Sequence, residues 1–195
     1  FMNKKEIVVT GATGHIGNRL VQELIKRGYT VTALVRKESK VSNYLKSKGA
    51  EIKICDLSNE STFSKYLYKK NALFHLAAEN STETANKEKL IKNTLGITKS
   101  VISAALKQEV KQIIYTSSVV VLGRSKNKKK LVSLNDMVED SSLPYVEGKI
   151  YAEQWIKREV NSYTNIKIVY PSWVVGPGDF KGTPPNKFLI ELANK

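Results

Sequence analysis

Apolar positions along the chain follow two rhythms in turn. Short runs rich in Val and Ile occupy residues 6–10, 30–35, 51–55, 72–76, 112–116 and 166–170. They alternate only weakly between apolar and polar, as strands covered on both faces do. Between them, residues 15–27, 39–48, 61–69, 85–107 and 144–163 carry apolar side chains at helical spacing. Strand and helix in succession predict a doubly wound parallel sheet in a three-layer α/β/α arrangement. Residues 123–142, polar and rich in lysine and serine, are too long for a routine connection and predict a flap near a site. After Tyr170 the text turns to PSWVVGPGDFKGTPP and then a short helical segment, 186–194. That change reads as an exit from the sheet toward a further lobe.

Composition narrows the class. The 195 residues fit one domain, and 41% hydrophobic with 26% charged residues reads as globular and soluble. Cys55 stands alone, so no disulfide forms within the chain, which is the usage of a reducing, cytoplasmic setting. Residues 2–14 start basic but reach only a short apolar stretch before Gly11, unlike a signal peptide, and Phe1 ahead of Met2 reads as a remnant of processing. No apolar run approaches the ~20 residues that cross a bilayer. The net charge of +14 would attract nucleic acid, anionic lipid or phosphorylated metabolites. However, the lysines are spread along the whole chain, and the one dense cluster, RSKNKKK at 124–130, has no aromatic residue between its charges. The charge is therefore read as a solvated surface, with neither nucleic acid nor membrane as partner. His15 and His75 lie far apart without a further ligand at metal spacing, and no metal site is expected.

The stretch TGATGHIG, residues 10–17, follows the apolar run Ile7-Val8-Val9 and opens a helical pattern. In that context each glycine has a task. Gly11 permits a tight turn, Gly14 lets a pyrophosphate approach the backbone, and Gly17 lets helix and strand pack closely. The helix start then offers free N–H groups and a partial positive charge to phosphate. Past the second strand, Val35, Arg36 and Lys37 stand where an acidic residue would bond a ribose hydroxyl. Two cations there suit a 2′-phosphate, which favours NADP over NAD. Farther on, Tyr145 and Lys149 are four residues apart, so on a helix they share a face. A phenol titrates near 10, and a neighbouring ammonium would lower that value and ready it for proton transfer.

With these residues in place, the chain resembles the extended short-chain dehydrogenase/reductase family, which includes nucleotide-sugar epimerases and dihydroflavonol-type reductases. Asp56-Leu57, His75-Leu76-Ala77-Ala78, Asn93-Thr94-Leu95-Gly96-Ile97-Thr98, Tyr115-Thr116-Ser117-Ser118, the Tyr145 and Lys149 pair, and Pro171 to Asp179 match family segments in order. The resemblance implies a Rossmann domain over residues 1–195 with a C-terminal substrate lobe largely absent. It implies a catalytic set of Ser118, Tyr145 and Lys149, with Ser117 the lesser candidate for the hydroxyl. It places the nucleotide against Gly11, Thr13, Gly14, His15, Ile16, Gly17, Arg36, Lys37, Asp56, Leu57, Leu76, Ala77, Ala78, Asn93, Lys149, Pro171 and Val174. The implied activity is NAD(P)-dependent: reduction of a small-molecule carbonyl as in the dihydroflavonol-reductase branch, or epimerisation or dehydration of a sugar nucleotide with bound NAD. A non-catalytic NADP-binding sensor is the alternative outside enzymes. A homodimer through residues 85–107 and 144–163 is also implied. Two departures stand out. Gly148 replaces a frequent serine, and Tyr170 stands where sugar-nucleotide enzymes usually carry arginine, which favours the reductase branch.

Overall fold

The computed structural model describes residues 5–78, 86–123, 132, 138, 141–160 and 165–194. The six runs form strands β1 (Glu6–Thr10), β2 (Thr30–Val35), β3 (Glu51–Ile54), β4 (Ala72–His75), β5 (Ile113–Thr116) and β6 (Ile166–Val169). The helices are α1 (His15–Lys26), α2 (Lys40–Ser47), α3 (Lys87–Lys107), α4 (Pro144–Glu159) and α5 (Pro184–Ala193). All pairings are parallel, in the order β3-β2-β1-β4-β5-β6. This is the Rossmann-like α/β fold. The chain winds outward from β1 to β3 and then returns to β4 beside β1, with Val8 opposite both Thr32 and Leu73. The order reverses there, and a crevice opens at the carboxyl ends of β1 and β4.

The weak alternation of the strand runs has a direct cause. Val8, Leu34, Leu73, Ile113 and Tyr115 pack with Val101, Ile102 and Ala105 of α3 and Ala152 and Ile156 of α4. The intervening Ile7, Val9, Val31 and Ala33 pack the opposite way, with Val21 and Leu24 of α1 and Leu45 of α2. Both pleat faces are therefore apolar. Next to α1, toward the amino ends of the strands, an open groove of about 760 Å³ is lined by Ile7, Leu20, Leu24, Phe74 and Ile114 among others. It lies away from the crevice.

The helix expected over 61–69 is instead two single 3-10 turns, Glu60–Thr62 and Ser64–Tyr66. Asn59 accepts from the Ser61 backbone N–H and hydroxyl, while the Thr62 hydroxyl donates to the Asp56 and Asn59 carbonyls. These local bonds compete with a helical ladder, yet Phe63 and Leu67 still reach full burial. The helix expected over 144–163 ends at Glu159. Ala85, residues 161–164, the 124–130 cluster and most of the 123–142 flap lie outside the described residues. Among the described residues no helix is long and apolar enough to cross a membrane.

Candidate active site

The glycine loop is built from close approaches. Gly11 has φ +68°, and a Cβ there would lie 2.7 Å from the Ala77 nitrogen and the Leu76 carbonyl carbon. A Cβ on Gly17 would run into the Gly11 carbonyl oxygen, and one on Gly14 would come within 3.2 Å of it. The loop closes through the Gly14 N–H to the Gly11 carbonyl at 3.0 Å. Helix α1 then begins with no side-chain cap and no acidic residue in its first turn. Its first N–H groups lack intrahelical acceptors, which leaves a positive, uncapped end suited to an anion. Thr13, His15 and Ile16 sit in this turn.

Asn18, which the motif reading passed over, locks the loop. It is fully buried, and its Nδ2 donates to the carbonyls of Gly14 (2.8 Å), His15 (3.0 Å) and Gly178 (2.8 Å). The last bond ties the first turn of the fold to the segment after β6. Gly178, at φ +88°, leaves room for it, since a Cβ there would stand 3.2 Å from Asn18 Oδ1. In the same segment Asp179 accepts from the Lys181 and Thr183 N–H groups, the Thr183 hydroxyl and the Asn186 amide. Burial opposes its ionisation, but these bonds prevail and hold it down at about 2.

Because the strands are parallel, the other nucleotide candidates fall on one edge. Arg36 and Lys37 follow β2 and are exposed; Asp56 and Leu57 follow β3; Leu76, Ala77 and Ala78 follow β4; Pro171 and Val174 follow β6. Asn93 lies half-buried on α3. Leu57 is buried, while Asp56 is exposed and accepts from the Ser58 N–H and hydroxyl, which lower its pKa. Among the described residues, no hydrogen bond or ion pair joins Arg36, Lys37 or Asp56 to the glycine loop. Thr10 links the loop to the end of β4, its Oγ1 pairing with His75 Nδ1 at 2.7 Å and accepting from the Ala77 N–H at 3.2 Å.

Three successive residues at the end of β5 meet α4. The Thr116 carbonyl accepts from Lys149 Nζ at 2.7 Å, the Ser117 hydroxyl donates to Glu153 at 2.9 Å, and the Ser118 hydroxyl bonds the Tyr145 phenol. Ser117 is thus committed to the core, and Ser118 is the hydroxyl beside Tyr145. Gly148 earns its place through packing: a Cβ there would press to 3.1 Å from Thr94 Cβ on α3. The electrostatics depart from the sequence expectation. Burial raises the Tyr145 phenol, and the Ser118 hydrogen bond opposes it. The Lys149 amine donates to the Thr116 carbonyl at 2.7 Å and lies 5.0 Å from the centre of the Tyr115 ring. Its own pKa is brought down to about 8 by burial, with Glu153 pulling the other way.

The sequence pattern of the NAD dependent epimerase/dehydratase family matches residues 7–195. The dihydroflavonol 4-reductase of Arabidopsis thaliana is 30% identical over 205 residues, which cover 94% of this chain and 53% of that protein. That of Gerbera hybrida is 30% identical over 202 residues, covering 92% of this chain and 54% of that protein. The chain thus spans about half the length of these relatives. Among solved structures, gox2253 superposes with a TM-score of 0.79 at 33% identity, over 98% of this chain and 58% of its own. Gre2 of Candida albicans, solved with NADPH, gives 0.75 at 24% identity over 89% of this chain and 59% of its own, a likeness of fold. The glycine turn, the reversal of strand order and the match along nearly the whole chain lead to one assignment: this chain belongs to the NAD dependent epimerase/dehydratase family.

Proposed function

We propose that the chain binds NADP(H) along the carboxyl edge of its sheet and serves the reduction of a small-molecule carbonyl. The observation that carries this reading is the meeting of the Ser118 hydroxyl, the Tyr145 phenol and the buried Lys149 amine at the end of β5. The cradle of Gly11, Gly14 and Gly17, with the uncapped start of α1, fits a pyrophosphate. The exposed Arg36 and Lys37 at the end of β2 suit a 2′-phosphate, with NAD the alternative. When bound, the reduced nicotinamide supplies the hydride.

The residues of the chain do the rest. Ser118 donates a hydrogen bond to the substrate carbonyl and orients it beside Tyr145. A phenol whose pKa is raised stays protonated at neutral pH, so Tyr145 is the general acid that delivers a proton to the developing alkoxide. Lys149 is poised near neutrality and holds ribose hydroxyls, its charge easing the return of the phenolate. Reduction is favoured over sugar-nucleotide chemistry by the dihydroflavonol 4-reductase relatives. It is also favoured at Tyr170, whose hydroxyl is bound to Glu153 where that chemistry would call for an arginine.

The test is a fluorescence titration with NADPH and NADH, followed by assay with methylglyoxal and a dihydroflavonol. Tyr145→Phe should bind NADPH as the parent does and lose roughly 10²–10⁴-fold in turnover. Absence of NADPH binding by the parent, or full turnover by the variant, would overturn the reading.

A further inference from the structure

Glu153 lies on the stripe of α4 that carries Tyr145 and Lys149, at successive four-residue steps. Its side chain is fully buried. A carboxylate out of water persists only where donors replace its hydration. Here they come from two strand ends as well as its own helix. Ser117, at the end of β5, donates to Oε2 at 2.9 Å; Tyr170, at the end of β6, donates to Oε1 at 2.5 Å; Lys157 Nζ lies 3.0 Å from Oε1. Ser117 immediately precedes Ser118, and Tyr170 immediately precedes Pro171. One carboxylate thus spans the three pieces of chain that present the candidate catalytic and nicotinamide-flanking residues.

We propose that Glu153 is a positioning residue of this site: it clamps the exits of β5 and β6 to α4, and its charge offsets that of the buried Lys149. The proposal rests on the reading of Ser118, Tyr145 and Lys149 given above. The titratable groups around the Lys149 amine are Glu153 on α4, His75 on β4 and Tyr115 on β5; Glu153 in turn meets Tyr170 past β6 and Lys157 on α4, and α3 presents the neutral Thr94 against the neighbouring Gly148. Of these only Glu153 carries a carboxyl group. Burial pushes Lys149 down and Glu153 resists, so losing the carboxylate lets the amine titrate lower still.

Glu153→Gln keeps the size and removes the charge. With lysine labelled in ¹³C, NMR should find the Lys149 titration about one pH unit lower in this variant, the effect of removing one close opposite charge. NADPH affinity at pH 7.5 should fall about three- to tenfold, as expected for one weakened charged contact. Glu153→Asp should restore the titration position but not the full affinity. The double variant Ser117→Ala, Tyr170→Phe keeps the charge and removes the clamp; it should leave the Lys149 titration in place and weaken NADPH binding. A Lys149 titration unmoved in Glu153→Gln, or parental NADPH affinity in the double variant, would overturn the proposal. If Glu153→Gln does not fold, the double variant decides. If the parent chain does not bind NADPH, the functional reading falls, while the Lys149 titration still judges Glu153.

Discussion

Lowering the pH from 7 to 4.5 should cost the folded protein about 2.5 kcal/mol through His75 alone. The ring is fully buried at the end of β4, with Nδ1 paired to Thr10 Oγ1 at 2.7 Å and Nε2 without a hydrogen-bond partner among the described residues. Burial first, and the Lys149 charge second, bring its pKa from the ordinary 6.5 down to about 3. Between those values the unfolded chain binds a proton that the folded chain refuses, so stability falls as pH falls through this window. At pH 4.5 the difference amounts to about two pH units below 6.5, or roughly 2.5 kcal/mol after the small fraction already protonated at pH 7 is subtracted. That is a large share of the ~5–15 kcal/mol that holds a domain folded. The assay is urea unfolding at both pH values for the parent and for His75→Asn, whose amide can still meet Thr10 but does not titrate. Carboxylates contribute equally to both proteins and cancel in the comparison. The parent should lose about 2.5 kcal/mol more than the variant, close to 1 M in urea midpoint at a typical slope. Equal losses in the two proteins would show that His75 accepts its proton freely in the folded state, and the burial argument would fail.

Two further outcomes test the nucleotide edge. Gly17→Ala should destabilise the protein by about 1–3 kcal/mol, because the new Cβ overlaps the Gly11 carbonyl, and should weaken NADPH binding at least tenfold. Gly96→Ala on α3, where a Cβ meets nothing, should instead stabilise by up to ~1 kcal/mol, and matching thermal shifts for the two variants would refute the loop geometry. Arg36→Ala should shrink the ratio of NADH to NADPH dissociation constants by about tenfold, the size of one lost charged contact to phosphate; an unchanged ratio removes Arg36 from the 2′-phosphate site.

Much of the local geometry of the candidate site was legible because its signals are local. A tight turn needs glycine at Gly11 whatever the rest of the chain does, and Tyr145 and Lys149 share a face because a helix returns every 3.6 residues. That the Ser117 hydroxyl is taken up by Glu153 was not legible, because Glu153 has no motif of its own. The segment 61–69 misled because Phe63 and Leu67 are spaced for a helix, while Asn59, Ser61 and Thr62 spend the backbone's bonding locally.

The succession of strand and helix, the two-sided core and the tight glycine turn were properties of the sequence itself, since each follows from periodicity or from the steric needs of residues adjacent in the chain. Tertiary structure alone settled that Asn18 reaches Gly178, that Glu153 gathers Ser117 and Tyr170, and that Lys149 donates to the Thr116 carbonyl. Those choices depend on which polar groups are enclosed together once water is excluded. A buried donor must take the nearest acceptor that the closed fold offers, however distant that acceptor is along the chain.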